Sequence, residues 1–171
     1  MTIICAQRVE GGVLIGSDSR VCKGSFVCPQ GQSKWAATLG GLWVGWSGHL
    51  RSMLLTTDKG SVWDYVVAHR GRLRDDCWDV GETGNGGPAN YASDLIIVDK
   101  GRVFHVHGSG SIVDFGDNFC AEGSGHEYAY GAAYALRAEN AELRMRMAIE
   151  AACKYDTDCG GDVFIKLVPH A

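Results

Sequence analysis

The stretch "TIICAQRVEGGVLIGSDSR", residues 2–20, decides the fold. A hydroxyl residue, Thr2, leads straight into the apolar run Ile3, Ile4, Cys5 and Ala6. Terminal residues fray unless something ties them down, so an apolar run here calls for a strand partner. Glu10-Gly11-Gly12 is a turn signal between two apolar runs, and residues 2–9 and 13–18 read as paired strands. Hairpin register can be counted. A two-residue turn at Glu10-Gly11 sets Val9 opposite Gly12, so paired numbers sum to 21 and Thr2 faces Ser19. A three-residue turn raises the sum to 22, and Thr2 then faces Arg20. On either count Asp18 lies within about two residues of Thr2 across the ladder.

A second pair, residues 33–39 and 42–47, turns at Gly40-Gly41. With those two glycines as the turn, Leu39 faces Leu42, the sum is 81, and Lys34 falls opposite Ser47, next to Gly48. Counting therefore gives two local clusters, Thr2 with Asp18 and Lys34 with Gly48. It does not bring the clusters together.

Residues 49–76 read as helix, broken near Gly60, and "GETGNGGPAN" (81–90) reads as a loop. A third hairpin, "DLIIVDKGRVFHVH" (94–107), turns at Lys100-Gly101, and "SIVDF" (111–115) continues its sheet. "SGHE" (124–127) matches the S-x-x-E box that caps a helix, and Ala129, Ala132, Ala133 and Leu136 give that helix a small-residue face. A second helix spans 141–155, with Met145, Ala148, Ile149 and Ala152 on its apolar face. Glu142, Arg146, Glu150 and Lys154 form its solvated face. "DVFIKLV" (162–168) closes as a strand. The order of elements points to two antiparallel sheets with helices outside them, in one domain over residues 1–171.

Composition limits the function. The 171 residues carry a net charge of −4 without a basic stripe, which weighs against a nucleic-acid partner. No apolar run nears the roughly 20 residues of a membrane helix, and no basic-then-apolar leader opens the sequence. Seven cysteines, an odd count without Cys-x-x-Cys spacing, argue against a disulfide framework or structural zinc. Reduced thiols and a cytoplasmic location are expected. His105 and His107 alternate on one strand face, but no third ligand accompanies them at suitable spacing, so no metal site is expected.

One chemistry uses the counted residues together. With Met1 removed, Thr2 carries a hydroxyl and a free α-amine, and an α-amine titrates near about 7.7–8.0, where it can act as base for its own hydroxyl. A nearby Lys34 would favour the alkoxide, and Asp18 would hold that lysine charged and oriented. The Gly48 N–H could stabilise an oxyanion. Asp156 falls where the last helix should end; a carboxylate there opposes the helix dipole by up to about 1 kcal/mol, which hints at another use.

These residues resemble the proteasome β-subunit and HslV family of N-terminal threonine hydrolases. The opening strand and turn, the ungapped spacing from Thr2 through Lys34 to "SGHL" (47–50), the helix start "GSGHEYAYGAAYAL" (123–136) and the late helix "AIEAACKYDTDCGG" (148–161) carry the likeness. It is good over 2–57 and 120–163 and poor over 77–119. The resemblance implies a four-layer αββα sandwich, an α+β fold, and a threonine-type endopeptidase without cofactors. In it Thr2 matches the nucleophile, Asp18 and Lys34 the charged pair, and Gly48 the oxyanion donor. Ser124 and Asp156 match residues that hydrogen-bond near the N-terminal amine, with Ser19 and Cys159 as supporting positions. Cys159 stands where the family has Ser. Val21, Gln32, Ala36, Trp46 and Leu50 map to the specificity pocket, where Trp46 would favour small or medium apolar side chains.

Only Met1 precedes the threonine, as in HslV and the small bacterial homologues. The family further implies stacked homo-oligomeric rings, peptide or unfolded-protein substrates, and an ATP-dependent unfoldase as partner. Six-fold, seven-fold and open helical arrangements all stay open. So do two rival readings, a small-molecule N-terminal nucleophile amidase and a non-catalytic ring subunit. For Ser124, helix capping is a competing role.

Overall fold

In the computed structural model, residues 2–23, 26–27, 31, 33–47, 61–64, 94–107 and 111–170 are described. The expected helix over 49–76, except 61–64, and the loop over 81–90 lie outside them, as do Gln32, Gly48 and Leu50.

Strand β1 (Ile4–Val9) pairs antiparallel with β2 (Gly12–Ser17), with Val9 opposite Gly12 and Ile4 opposite Ser17. The sum is 21, as counted for a two-residue turn. Gly11, at φ 85°, occupies the left-handed turn position that glycine takes without steric penalty. Two further strands complete this sheet. β10 (Cys120–Glu122) pairs on the far side of β1 and β11 (Phe164–Pro169) on the far side of β2, giving the order β10-β1-β2-β11.

The second sheet has the order β5-β6-β7-β8-β9, from β5 (Trp35–Ala37), β6 (Trp43–Trp46), β7 (Leu95–Asp99), β8 (Arg102–Val106) and β9 (Ile112–Asp114). A two-stranded pair, β3 (Cys22–Lys23) with β4 (Phe26–Val27), stands apart. The hairpin β7-β8 turns at Lys100-Gly101 as expected, with φ of 48° and 77°, the positive pair that a tight hairpin turn uses.

The β5-β6 register differs from the expected one. Trp35 pairs with Gly45 and Ala37 with Trp43, a sum of 80, so Lys34 continues opposite Trp46 and not Ser47. The loop is one residue longer than counted. Gly41 N donates to Thr38 O at 3.1 Å and Gly41 itself turns left-handed at φ 87°, while Leu42 N donates to Thr38 Oγ1 at 3.0 Å. A turn closed through the Thr38 side chain thus outcompetes the tighter Gly-Gly turn.

Helix α1 (His126–Ala135) and helix α2 (Ala141–Tyr155) cover the outer face of the first sheet. The Ser124 capping box does not form: Gly125 is the N-cap and no side chain caps the helix. Asn140 does cap α2, accepting from Leu143 N at 2.9 Å. The predicted stripe Met145, Ala148, Ile149 and Ala152 is fully buried, and Glu142, Arg146, Glu150 and Lys154 are exposed.

The layers explain the opening apolar run. Ile3 and Cys5 pack under the helices, whereas Ile4 and Ala6 pack between the sheets with Val13, Ile15 and Trp35. A strand covered on both faces has no polar alternation to show. Leu42, Val44, Trp46, Leu95 and Ile97 form a third cluster on the opposite face of the second sheet, and Val62 of helical residues 62–64 packs into it. The α+β architecture is two antiparallel sheets face to face with helices outside.

Ile149 lies in the joint between α2 and β2, where Gly16 approaches so closely that a Cβ would meet Ile149 Cδ1 at 2.7 Å. Ile149→Ala should lower stability by about 2–5 kcal/mol, read as an earlier midpoint in denaturant unfolding followed by circular dichroism.

Candidate active site

The ends of β1, β2 and β5 meet at Thr2. Asp18 N donates to Ile3 O at 3.2 Å, one step beyond the last residues of the hairpin ladder, and Ile3 N donates to Asp18 Oδ1 at 3.1 Å. The Thr2 hydroxyl donates to Asp18 Oδ1. Lys34 reaches in from the start of β5: its Nζ lies 2.5 Å from Thr2 Oγ1, 3.1 Å from Asp18 Oδ1 and 2.8 Å from the Arg20 carbonyl oxygen. Lys34, which hairpin counting left apart from Thr2 and Asp18, therefore joins them in one site. Thr2, Asp18 and Lys34 are all buried.

Burial of charge demands complete pairing. An ammonium has three N–H donors, and Lys34 places all three. The second oxygen of Asp18 accepts from Gly160 N at 3.0 Å, so four donors converge on this carboxylate. The loop after α2 is tied down in turn: Ser19 N and Arg20 N donate to Gly160 O, and Asp162 N donates to Ser19 Oγ at 2.7 Å. Ser19 thus holds the loop that holds Asp18.

Three contributors were not singled out by sequence. Ser17 Oγ accepts from Lys34 N at 3.1 Å and fixes the backbone from which the lysine extends. The Arg20 carbonyl takes one lysine proton, and the Gly160 N–H completes Asp18. The adjacent glycines at 160 and 161 were a visible signal. The other two act through backbone groups or a serine inside a strand, which no motif marks.

Ser124 and Asp156 make their hydrogen bonds elsewhere than to Thr2. Ser124 Oγ lies 3.7 Å from Cys159 Sγ, Cys159 Sγ donates to Asp156 Oδ2 at 3.6 Å, and Asp156 Oδ1 accepts from Asp158 N at 2.8 Å. Continuing the β10-β1 register, in which Ile4 faces Glu122, sets Ser124 opposite Thr2. Cys159 thus links Ser124 to Asp156 beside the strand that carries Thr2. Burial first, and the Asp18 charge second, push the Cys159 thiol far above its ordinary range, so it stays protonated at neutral pH.

Of the pocket positions, Ala36 is half-buried against the cluster that holds Trp46, and Val21 is half-buried. Trp46 is packed among Leu42, Val44 and Leu95.

No family model matches this chain, and no curated protein does. Solved structures are similar to it over nearly its whole length. The Thiobacillus denitrificans BPH in complex with epoxomicin is 20% identical, with 99% of each chain covered and a TM-score of 0.72. The eukaryotic HslV of Trypanosoma brucei is 18% identical, over 98% of this chain and 99% of that one, with a TM-score of 0.69. Anbu, the ancestral β-subunit of Yersinia bercovieri, is 15% identical, over 98% of this chain and 81% of its own, with a TM-score of 0.69. The chain shares the fold of BPH, HslV and Anbu.

Two outcomes follow from this geometry. Asp18→Ala leaves the buried Lys34 ammonium without its counter-charge and should cost about 3–5 kcal/mol, measurable as a lowered thermal midpoint. Cys159 in the folded protein should resist alkylation by N-ethylmaleimide at pH 7.5 and react only after denaturation, with peptide mass mapping as the readout.

Proposed function

We propose that this protein is a threonine-type endopeptidase that attacks peptide carbonyls with Thr2 Oγ1 once Met1 has been removed. The observation that carries the reading is the contact of Lys34 Nζ with Thr2 Oγ1 at 2.5 Å, with Asp18 bonded to both groups. A buried ammonium on a hydroxyl oxygen stabilises the alkoxide where water cannot. The freed α-amine of Thr2 accepts the hydroxyl proton, the oxygen adds to the carbonyl, and the amine returns the proton to the departing peptide nitrogen. Water then hydrolyses the ester. The Gly48 N–H supplies the oxyanion contact in this scheme, and the Ser124–Cys159–Asp156 chain orients the new amine. Val21, Gln32, Ala36, Trp46 and Leu50, the positions that map to the family's specificity pocket, would set a preference for small or medium apolar side chains before the cut. The likeness to HslV and Anbu supports homo-oligomeric rings, which would confine cleavage to peptides and unfolded chains, and an ATP-dependent unfoldase would feed them. A cytoplasmic setting fits this role; among the described residues no helix is long and apolar enough to cross a membrane.

The test pairs intact mass with hydrolysis. The active protein should lack the mass of Met1 and cleave fluorogenic peptides with alanine or valine before the cut better than those with lysine or arginine. Thr2→Ala should lower kcat/KM at least about 10³-fold, while Thr2→Ser retains measurable turnover. Equal rates for wild type and Thr2→Ala would end the reading. Epoxomicin, the ligand of the BPH complex, should add one equivalent of mass to the wild type and none to Thr2→Ala.

A further inference from the structure

We infer that Asp94, His105 and Glu122 form a binding site for one divalent transition-metal ion, with Zn²⁺ the best match. Asp94 immediately precedes β7, His105 lies on β8 of the same sheet, and Glu122 ends β10 of the other. One ligand atom from each falls within 4.8 Å of the other two, and all three residues are partly buried. None of its three residues bonds to Thr2, Asp18 or Lys34.

The individual groups are prepared for such an ion. His105 Nε2 is buried and faces Glu122 Oε2 at 3.1 Å as an ion pair, with no other polar group on it. Glu122 Oε1 is already fixed by the Gly123 N–H at 2.9 Å, which leaves Oε2 turned to the histidine. That division, one oxygen oriented by the backbone and the other facing the site, is what metal-binding carboxylates use. His107 Nε2, from the same strand face as His105, lies 3.8 Å from Asp94 Oδ1 on the exposed side.

Charge and geometry agree. The two carboxylates, each beside a histidine, carry two negative charges while those imidazoles are neutral, and a dication balances both. One imidazole nitrogen with two carboxylate oxygens suits Zn²⁺ or Mn²⁺ better than the all-oxygen sites of Ca²⁺ or Mg²⁺. Around a tetrahedral Zn²⁺, with bonds of about 2.0–2.1 Å, ligand atoms stand roughly 3.3 Å apart. The widest separation here need contract by only about 1.5 Å, which side-chain rotation supplies. Water would take the remaining position.

The ion would tie the two sheets together beside the candidate active site. Gly123, which holds Glu122, packs so close to Thr2 that a Cβ would stand 2.0 Å from the Thr2 carbonyl oxygen. Asp94 O accepts from both Ser47 N at 3.1 Å and Ser47 Oγ at 3.3 Å, the residue before Gly48.

The test uses the full chain, stripped with chelator and titrated with ZnCl2 alone by calorimetry, with the thermal midpoint followed in parallel. One Zn²⁺ per chain and a raised midpoint are expected. His105→Ala and Glu122→Gln should each weaken binding at least about tenfold and abolish the midpoint shift. Circular dichroism checks that His105→Ala is folded, and Glu122→Gln keeps the side-chain shape. Absence of binding to the wild type, or equal binding by the folded variants through thiols or other histidines, overturns the inference. Neither readout uses peptide hydrolysis, so the result is independent of the proposed activity.

Discussion

The ion pair of Lys34 with Asp18, closed over the Thr2 hydroxyl, is the interaction around which the rest of the structure is arranged. Side-chain exposure is 6% for the lysine and 0% for the aspartate, so neither charge is relieved by solvent. Such a pair persists only when every donor and acceptor is matched, because the loss of water on both ions must be offset within the protein. Here the offset is assembled from four separate places: the β1-β2 hairpin end, the first residue before β5, the Arg20 carbonyl and the loop after α2. A buried ion pair adds little net stability compared with apolar packing. What the pair does place is a charged nitrogen on Thr2 Oγ1, which an apolar pair would not supply.

Holding that pair requires rigid surroundings, and the layers provide them. β2 is buried along its whole length, with Leu14 turned to the helices and Val13 and Ile15 to the other sheet. Trp35, one residue after Lys34, packs between the sheets; its ring fits because its register partner is Gly45, and its Nε1 donates to Gly16 O at 2.9 Å. That anchor fixes the backbone beside the lysine. Two glycines admit close approach at the site itself. Gly123, at φ 114°, lets β10 run against the Thr2 carbonyl, and Gly160 lets the Arg20 guanidinium lie where a Cβ would stand. Arg20 in turn donates to Thr157 O at 2.7 Å, locking the same loop from its other side.

The thiols bear on the same question from the opposite direction. Cys5, Cys120, Cys153 and Cys159 are free, and burial raises the pKa of each. Cys153, the least enclosed of them, is pushed up to about 11. A cysteine nucleophile needs a thiolate. The hydroxyl of Thr2, by contrast, carries the Lys34 ammonium on its oxygen.

Much of this was legible in the amino-acid sequence, and for local reasons. The β1-β2 hairpin, with its register narrowed to two choices, the Lys100-Gly101 turn, the buried stripe of α2 and the nearness of Asp18 to Thr2 all follow from turn chemistry and periodicity over a few residues. Where two local signals competed, counting failed. Thr38 closed the β5-β6 loop with its side chain and shifted the register by one, and Gly125 displaced Ser124 as the helix cap. The union of Lys34 with Thr2, the Gly160 N–H on Asp18 and the meeting of Asp94, His105 and Glu122 were decided by tertiary structure alone. Lys34 with Thr2, and Asp94 and His105 with Glu122, join different sheets and meet where the sheets stack, whereas Gly160 reaches Asp18 through the long-range pairing of β11 with β2; neither kind of contact leaves a mark on spacing along the chain.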